Sequence, residues 1–184
     1  MLWLWIVIGV VAFVLLIAIF YFNRFVVLER RVENSLAQID VQLKKRADLI
    51  PNLIETVKGY ARHERRIMEE VARARKEMLK AGDIAAKVKA SNQLEKALGK
   101  LFAIAENYPQ LKANENFLQL QQELSAIEDK IAYARQYYND SIMAYNILCT
   151  KFPGVAFAKL YGKKEKAFLK IPEVEKKVPK VSFE

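Results

Sequence analysis

Residues 32–78 read VENSLAQIDVQLKKRADLIPNLIETVKGYARHERRIMEEVARARKEM, and the spacing of their apolar side chains decides the fold. Val32, Leu36, Ile39, Leu43, Arg46, Ile50, Leu53, Val57, Tyr60, Glu64, Ile67, Val71, Ala74 and Met78 follow one another at alternating steps of four and three, and only Arg46 and Glu64 among them are charged. Side chains so spaced fall on one face of a helix, with the periodicity of a coiled-coil seam. The pattern predicts a long first helix that ends at Lys80-Ala81-Gly82. Pro51 interrupts it, because proline removes a backbone donor and its ring crowds the carbonyl of Ala47. The chain either restarts there, with Asp48 as N-cap, or continues with a kink; the seam keeps its phase through Pro51, so a kinked continuous helix is expected. Asp48 and Asn52 lie one turn apart on the side away from the seam. They either relieve the proline defect by hydrogen bonding or form a candidate partner face.

Upstream, residues 1–22 (MLWLWIVIGVVAFVLLIAIFYF) carry no charge, and no comparable run recurs. A bilayer core of about 30 Å needs roughly 20 apolar residues in a helix, since only a helix satisfies every backbone polar group within hydrocarbon. The run is longer than the apolar core of a secretory signal, lacks a basic residue before it and ends without a small-x-small site, so an uncleaved anchor is expected. Arg24, Arg30 and Arg31 follow it and no basic side chain precedes it, which by the positive-inside rule places the body in the cytoplasm of a single-pass inner-membrane protein. Trp3 and Trp5 at one end and Tyr21 at the other suit the two interfaces. No Gly-, Ser- or Pro-rich linker separates Phe22 from Val32, so anchor and body read as one helix.

Downstream, a second helix fits residues 83–107, capped by Asp83, with Ile84, Val88, Leu94, Leu98, Leu101, Phe102 and Ala105 toward one side. Tyr108-Pro109 closes it, because the residue before proline leaves the helical region. A third is marked by Phe117, Leu120, Leu124, Ile127, Ile131, Ala134, Tyr138, Ser141, Tyr145 and Leu148, and Phe152-Pro153-Gly154 ends it. A short helix over residues 155–161 follows. The lysine-rich tail, residues 163–184, carries Pro172 and Pro179 and reads as extended. Short connections imply antiparallel neighbours. The expected fold is all-α: an anchor over 1–22, an elongated antiparallel bundle of three long helices over 23–162, and the basic tail.

Because the anchor is uncharged, the formal charge of +9 belongs to the body, and a basic body is drawn to an anionic leaflet. No nucleic-acid motif is present, and the basic residues are interleaved with acids. One cysteine, Cys149, excludes an intramolecular disulfide; among Ile147, Leu148 and Phe152 it reads as a core filler. His63-Glu64 is followed by Arg65, Arg66 and Ile67, so a zinc motif fails at its second histidine. One histidine and one cysteine do not build a structural zinc site. The glycines form no phosphate loop, no G-x-S-x-G occurs, and the paired Glu-x-x-His of a di-iron bundle is missing. Neither catalysis nor a cofactor is expected.

Several segments in combination resemble the LemA family of bacterial membrane proteins. They are residues 46–53 (RADLIPNL), 57–64 (VKGYARHE) and 106–113 (ENYPQLKA), then Glu128, Ile131, Arg135, Tyr138-Asn139, Tyr145-Asn146 and Phe152-Pro153, and finally residues 179–183 (PKVSF). The resemblance covers nearly the whole chain and implies an N-terminal anchor followed by an elongated helical bundle. It supplies no biochemical activity beyond roles at membranes, and it does not extend to Cys149 or to the basic character of the tail.

Arg46 and Glu64 occupy seam positions, and Glu128 and Arg135 lie along the edge of the third helix's seam. Opposite charges on facing helices pair and set register more than they add stability; a ligand or partner site is the alternative for these four residues. The long first seam exceeds what the shorter helices are expected to cover, and surplus apolar surface invites partners. Two function classes remain open: a self-associating membrane scaffold that organises or reshapes the bilayer, and a tethered adaptor for a protease or signalling complex.

Overall fold

A computed structural model describes residues 1–169, and every regular element among them is a helix: α1 (Leu2–Tyr60), α2 (Arg65–Lys80), α3 (Ile84–Ala105), α4 (Pro109–Lys112), α5 (Glu115–Thr150) and α6 (Gly154–Leu160). The chain divides into two compact units. One is built on Met1–Ala37 and Arg135–Phe168, the other on Gln38–Ala134. Tail residues 170–184, including Pro172 and Pro179, lie outside the described residues.

In the unit of residues 38–134, the uninterrupted first helix to Lys80 is corrected. Helix α1 passes through Pro51 without ending and stops at Tyr60. The break falls at residues 61–64, where Ala61 N–H closes on Val57 O (2.8 Å) and Glu64 N–H bonds Ala61 O (3.1 Å). Helix α2 then runs back along α1: Met68 shares a groove with Ile54, and Met78 shares one with Leu43. Reversal buries Ile67, Met68, Val71, Ala74 and Met78 inside the unit. Helices α1, α2, α3 and α5 therefore all contribute here, where three long helices were expected.

The same reversal resolves the proline defect. Pro51 has no N–H for the carbonyl of Ala47, and Arg75 on α2 donates to that oxygen through Nε at 2.7 Å. Asp48 and Asn52 remain exposed. A hydrogen bond from a charged donor contributes about 1.5–3 kcal/mol, so Arg75→Leu is expected to cost about 1.5 kcal/mol, read from the urea midpoint of the detergent-solubilised chain. In a Pro51→Ala background, which restores the missing donor, the same replacement costs distinctly less. Equal losses in both backgrounds refute the compensation.

Helix α3 begins as its sequence dictates, with Asp83 accepting from Ala86 N–H at 2.8 Å. Asn114 does the same for α5, accepting from Phe117 N–H at 3.0 Å. The one-turn helix α4, opened by Pro109 at N1, was not expected. Val88, Leu94, Leu98, Leu101, Phe117, Leu124, Ile127 and Ile131 form core. So do Val32, Ile39, Leu43, Ile50, Leu53 and Val57 of the first seam, while Leu36 is half-buried and Tyr60 exposed. The seam is consequently used within the chain, and the expected surplus of apolar surface along it is not found.

In the unit of residues 1–37 and 135–168, the end of α5 and all of α6 pack on α1 just past the apolar run. Phe25, Leu28, Tyr145, Cys149 and Ala158 make the core, with Ala144, Leu148, Phe157 and Tyr161 against it. Gly154 opens α6 in a space only glycine fits, because a Cβ there would lie 2.3 Å from the carbonyl oxygen of Leu148. Gly162, at φ +64°, ends α6 in a Schellman turn: Lys163 N–H bonds Ala158 O at 2.8 Å and Gly162 N–H bonds Lys159 O at 3.3 Å. That turn sends the following residues back over the unit.

Candidate functional site

The polar residues singled out by sequence are distributed over both units. In that of residues 38–134, Arg46 sits in the core of α1 with a side chain only 4% exposed and meets Glu128 of α5 at 2.5 Å. It also donates to Ser91 of α3 at 3.2 Å. One guanidinium thus ties three helices, and its planar fork of donors suits several acceptors at once. Glu64, in the turn before α2, accepts from the Tyr108 hydroxyl at 2.9 Å; the bond to that carboxylate raises the Tyr108 pKa above its ordinary value. Arg135 is buried on α5 in the other unit.

An open groove of about 740 Å³ lies beside the turn between α1 and α2, with Ile54, Gly59, Met68 and Ala72 alongside Lys58, Arg62 and Arg65 and the acidic Glu55 and Glu69. Asp48 and Asn52, the candidate partner face, are not among its lining residues. Among the described residues, no group of three or more His, Cys, Asp or Glu is disposed to hold a metal ion.

The second constellation, which the sequence did not reveal, surrounds the end of the apolar run. Tyr21 stacks on Phe157 at 4.8 Å between ring centroids. Tyr161 meets Phe22 edge-on at 5.6 Å and Phe25 at 6.2 Å. Its hydroxyl donates to the backbone oxygen of Ala18 at 2.7 Å. Helix α6 is thereby fixed at the level of residues 18–25 by aromatic faces and one hydrogen bond. Their only sequence signal was the high aromatic content of two short segments far apart in the chain.

Just beyond, Glu29 takes both its carboxylate oxygens to Lys163 Nζ, each at 2.9 Å, and the Tyr145 hydroxyl donates to it at 3.4 Å. Lys166 lies over the Tyr145 ring, 5.2 Å from the centroid. Asn146 holds the same strand of tail at two points, through Lys166 O and Lys166 N–H, both at 2.9 Å. Burial raises the pKa of Tyr145 and of Cys149 above their ordinary values. Cys149 is therefore held as a thiol within the core, the opposite of what an activated nucleophile needs. Of the basic residues that follow the apolar run, Arg24 and Arg31 are exposed, and Arg30 pairs on the surface with Glu33 at 2.7 Å.

Helix α1 is long and apolar enough to cross a membrane, and none of its apolar window is buried within the chain. The family model described as the LemA family matches residues 35–183. Magnetosome protein MamQ of Magnetospirillum gryphiswaldense is similar at 27% identity, over 85% of this chain and 66% of that protein. Magnetosome protein MamQ 2 of Paramagnetospirillum magneticum matches to the same extent. Protein LemA of Metamycoplasma hominis is 28% identical over 76% of this chain and 64% of its own length. The chain thus spans 64–66% of the length of these curated relatives.

Proposed function

The chain belongs to the LemA family, and from that premise we propose that it is a non-enzymatic scaffold of the inner membrane, crossing it once with its body in the cytoplasm, self-associating there and organising or reshaping the bilayer. The observation that carries the reading is the uninterrupted helix α1, which joins an apolar window with no buried residues to the packed core of the body. An apolar helix surface of that length is stable only in lipid or against other apolar helices. Support for self-association comes from exposed apolar side chains beyond the run. Val26 and Val27 on α1 and Met143 and Ile147 on α5 are all at least one-third exposed. Side chains of this kind become core when copies meet.

The alternative, a tethered adaptor for a protease or signalling complex, is favoured by the groove beside the α1–α2 turn, whose lining mixes apolar side chains with charges of both signs. Light scattering on the detergent-solubilised chain, corrected for bound detergent, separates the two. The scaffold requires a defined multiple of 21.2 kDa. A monomer at all concentrations favours the adaptor.

A further inference from the structure

The proposed membrane crossing has a consequence for α6. If residues 1–22 span, the hydrocarbon boundary falls near Phe22, and Ala18 lies about 6 Å inside it at ~1.5 Å per residue. The hydroxyl of Tyr161 is bonded to the Ala18 oxygen, and Phe157 is stacked on Tyr21. Helix α6 therefore cannot stand clear of the membrane that α1 crosses. The hydroxyl is the deeper end of the Tyr161 side chain, and its bond to the Ala18 oxygen satisfies it there, while the ring lies against Phe22 and Phe25 at the boundary.

The side chains that α6 and the preceding turn leave uncovered fit the same environment. Phe152 is 82% exposed and Leu160, next to Tyr161, is 71% exposed. For a water-facing turn these are unfavourable choices, but apolar side chains held at an interface beside an anchor enter lipid. Lys151, Lys159 and Lys164 accompany them and are exposed. Arg24 and Lys151 also line one groove with Tyr21 and Ile147. Long basic side chains at this level reach lipid phosphates while their stems stay in the apolar layer.

We propose that the turn after α5 together with α6 forms an interfacial foot on an anionic leaflet, in which Phe152 and Leu160 enter the headgroup layer and Lys151, Lys159 and Lys164 meet lipid phosphates. The inference rests on the single-crossing reading and deepens it. The membrane is held at two adjoining places, by a helix that crosses and by a short helix that lies along the surface. Rotation or tilt of the crossing helix is resisted by the foot.

The test uses the full chain with Cys149→Ala and a nitroxide attached at a single new cysteine, in vesicles of phosphatidylcholine alone or mixed with phosphatidylglycerol. Labels are placed by Phe13→Cys in the run, Phe152→Cys and Leu160→Cys in the foot, and Arg30→Cys farther along α1. Oxygen and a water-soluble nickel complex compete for collisions and report depth. Expected are a deep signal at position 13, an aqueous one at 30, and interfacial depth at 152 and 160 in the mixed vesicles. Lys151→Gln, Lys159→Gln and Lys164→Gln together move the labels at 152 and 160 toward water and leave that at 13 unchanged. An aqueous reading at 13 overturns the crossing, and the foot with it. A deep reading at 13 with aqueous readings at 152 and 160 overturns the foot alone. Depth at 152 and 160 that ignores both phosphatidylglycerol and the lysine replacements overturns the phosphate contacts. Unchanged helical circular dichroism establishes that each variant is folded.

Discussion

Deletion of residues 7–16 is expected to release the protein from membranes into the supernatant of an alkaline carbonate wash. The remaining apolar run is about 12 residues, a helix of roughly 18 Å that falls well short of the ~30 Å hydrocarbon core. The deletion spares Ala18, Tyr21, Phe22 and Phe25, on which α6 packs. The body keeps its core, and its helical circular dichroism per residue falls only by the share of the missing turns. What membrane affinity is left belongs to basic and interfacial side chains, and it weakens as salt screens them. Retention of the shortened chain in the pellet through carbonate contradicts a single crossing by residues 1–22.

The second large effect is on stability. Glu128→Gln removes the carboxylate that Arg46 meets at 2.5 Å in a core position where the arginine side chain is 4% exposed. Breaking a buried pair from one side costs about 3–5 kcal/mol. The bond to Ser91 survives and Glu128 is partly exposed, so about 3 kcal/mol is expected in urea unfolding. Glu33→Gln, which breaks the exposed pair with Arg30, costs under about 0.5 kcal/mol. Replacing both buried partners together, Arg46→Met with Glu128→Leu, is near neutral in stability, because the desolvation penalty disappears along with the attraction. The polar pair contributes register more than free energy, and loss of a single well-packed arrangement in the double variant is the sign of that role. A large loss in the double variant equal to that of Glu128→Gln contradicts this account.

What the residues disclosed in advance and what they withheld have the same physical origin. The apolar run, the Asp83 cap and the seam of α5 are local signals, each complete within a few turns of chain. The break at residues 61–64 was hidden because Ile67, Val71, Ala74 and Met78 continue the arithmetic of the first seam without a slip. A helix that proceeds and one that folds back bury the same face, so periodicity does not separate them. Pro51 looks like the weak point, yet the helix continues through it as the unbroken phase of the seam implied, and Arg75 supplies the lost hydrogen bond from a helix that exists only because the chain reverses later. The aromatic contacts of Tyr21, Phe22 and Phe25 with Phe157 and Tyr161 join segments more than a hundred residues apart. Nothing in the composition of either segment names the other. Among the polar candidates, charges of opposite sign at or beside the seams suggested that some of them pair, whereas Glu128 and Ser91 as the partners of Arg46, and Tyr108 as that of Glu64, required the structure.

The central claim is that copies of this chain assemble in a bilayer and act on its form. Imaging the purified full-length protein by electron cryomicroscopy in vesicles containing anionic lipid reads both at once. The account predicts clustered or ordered copies, on membranes whose curvature differs from that of protein-free vesicles prepared alongside. Isolated single copies scattered over vesicles of unchanged shape would contradict it.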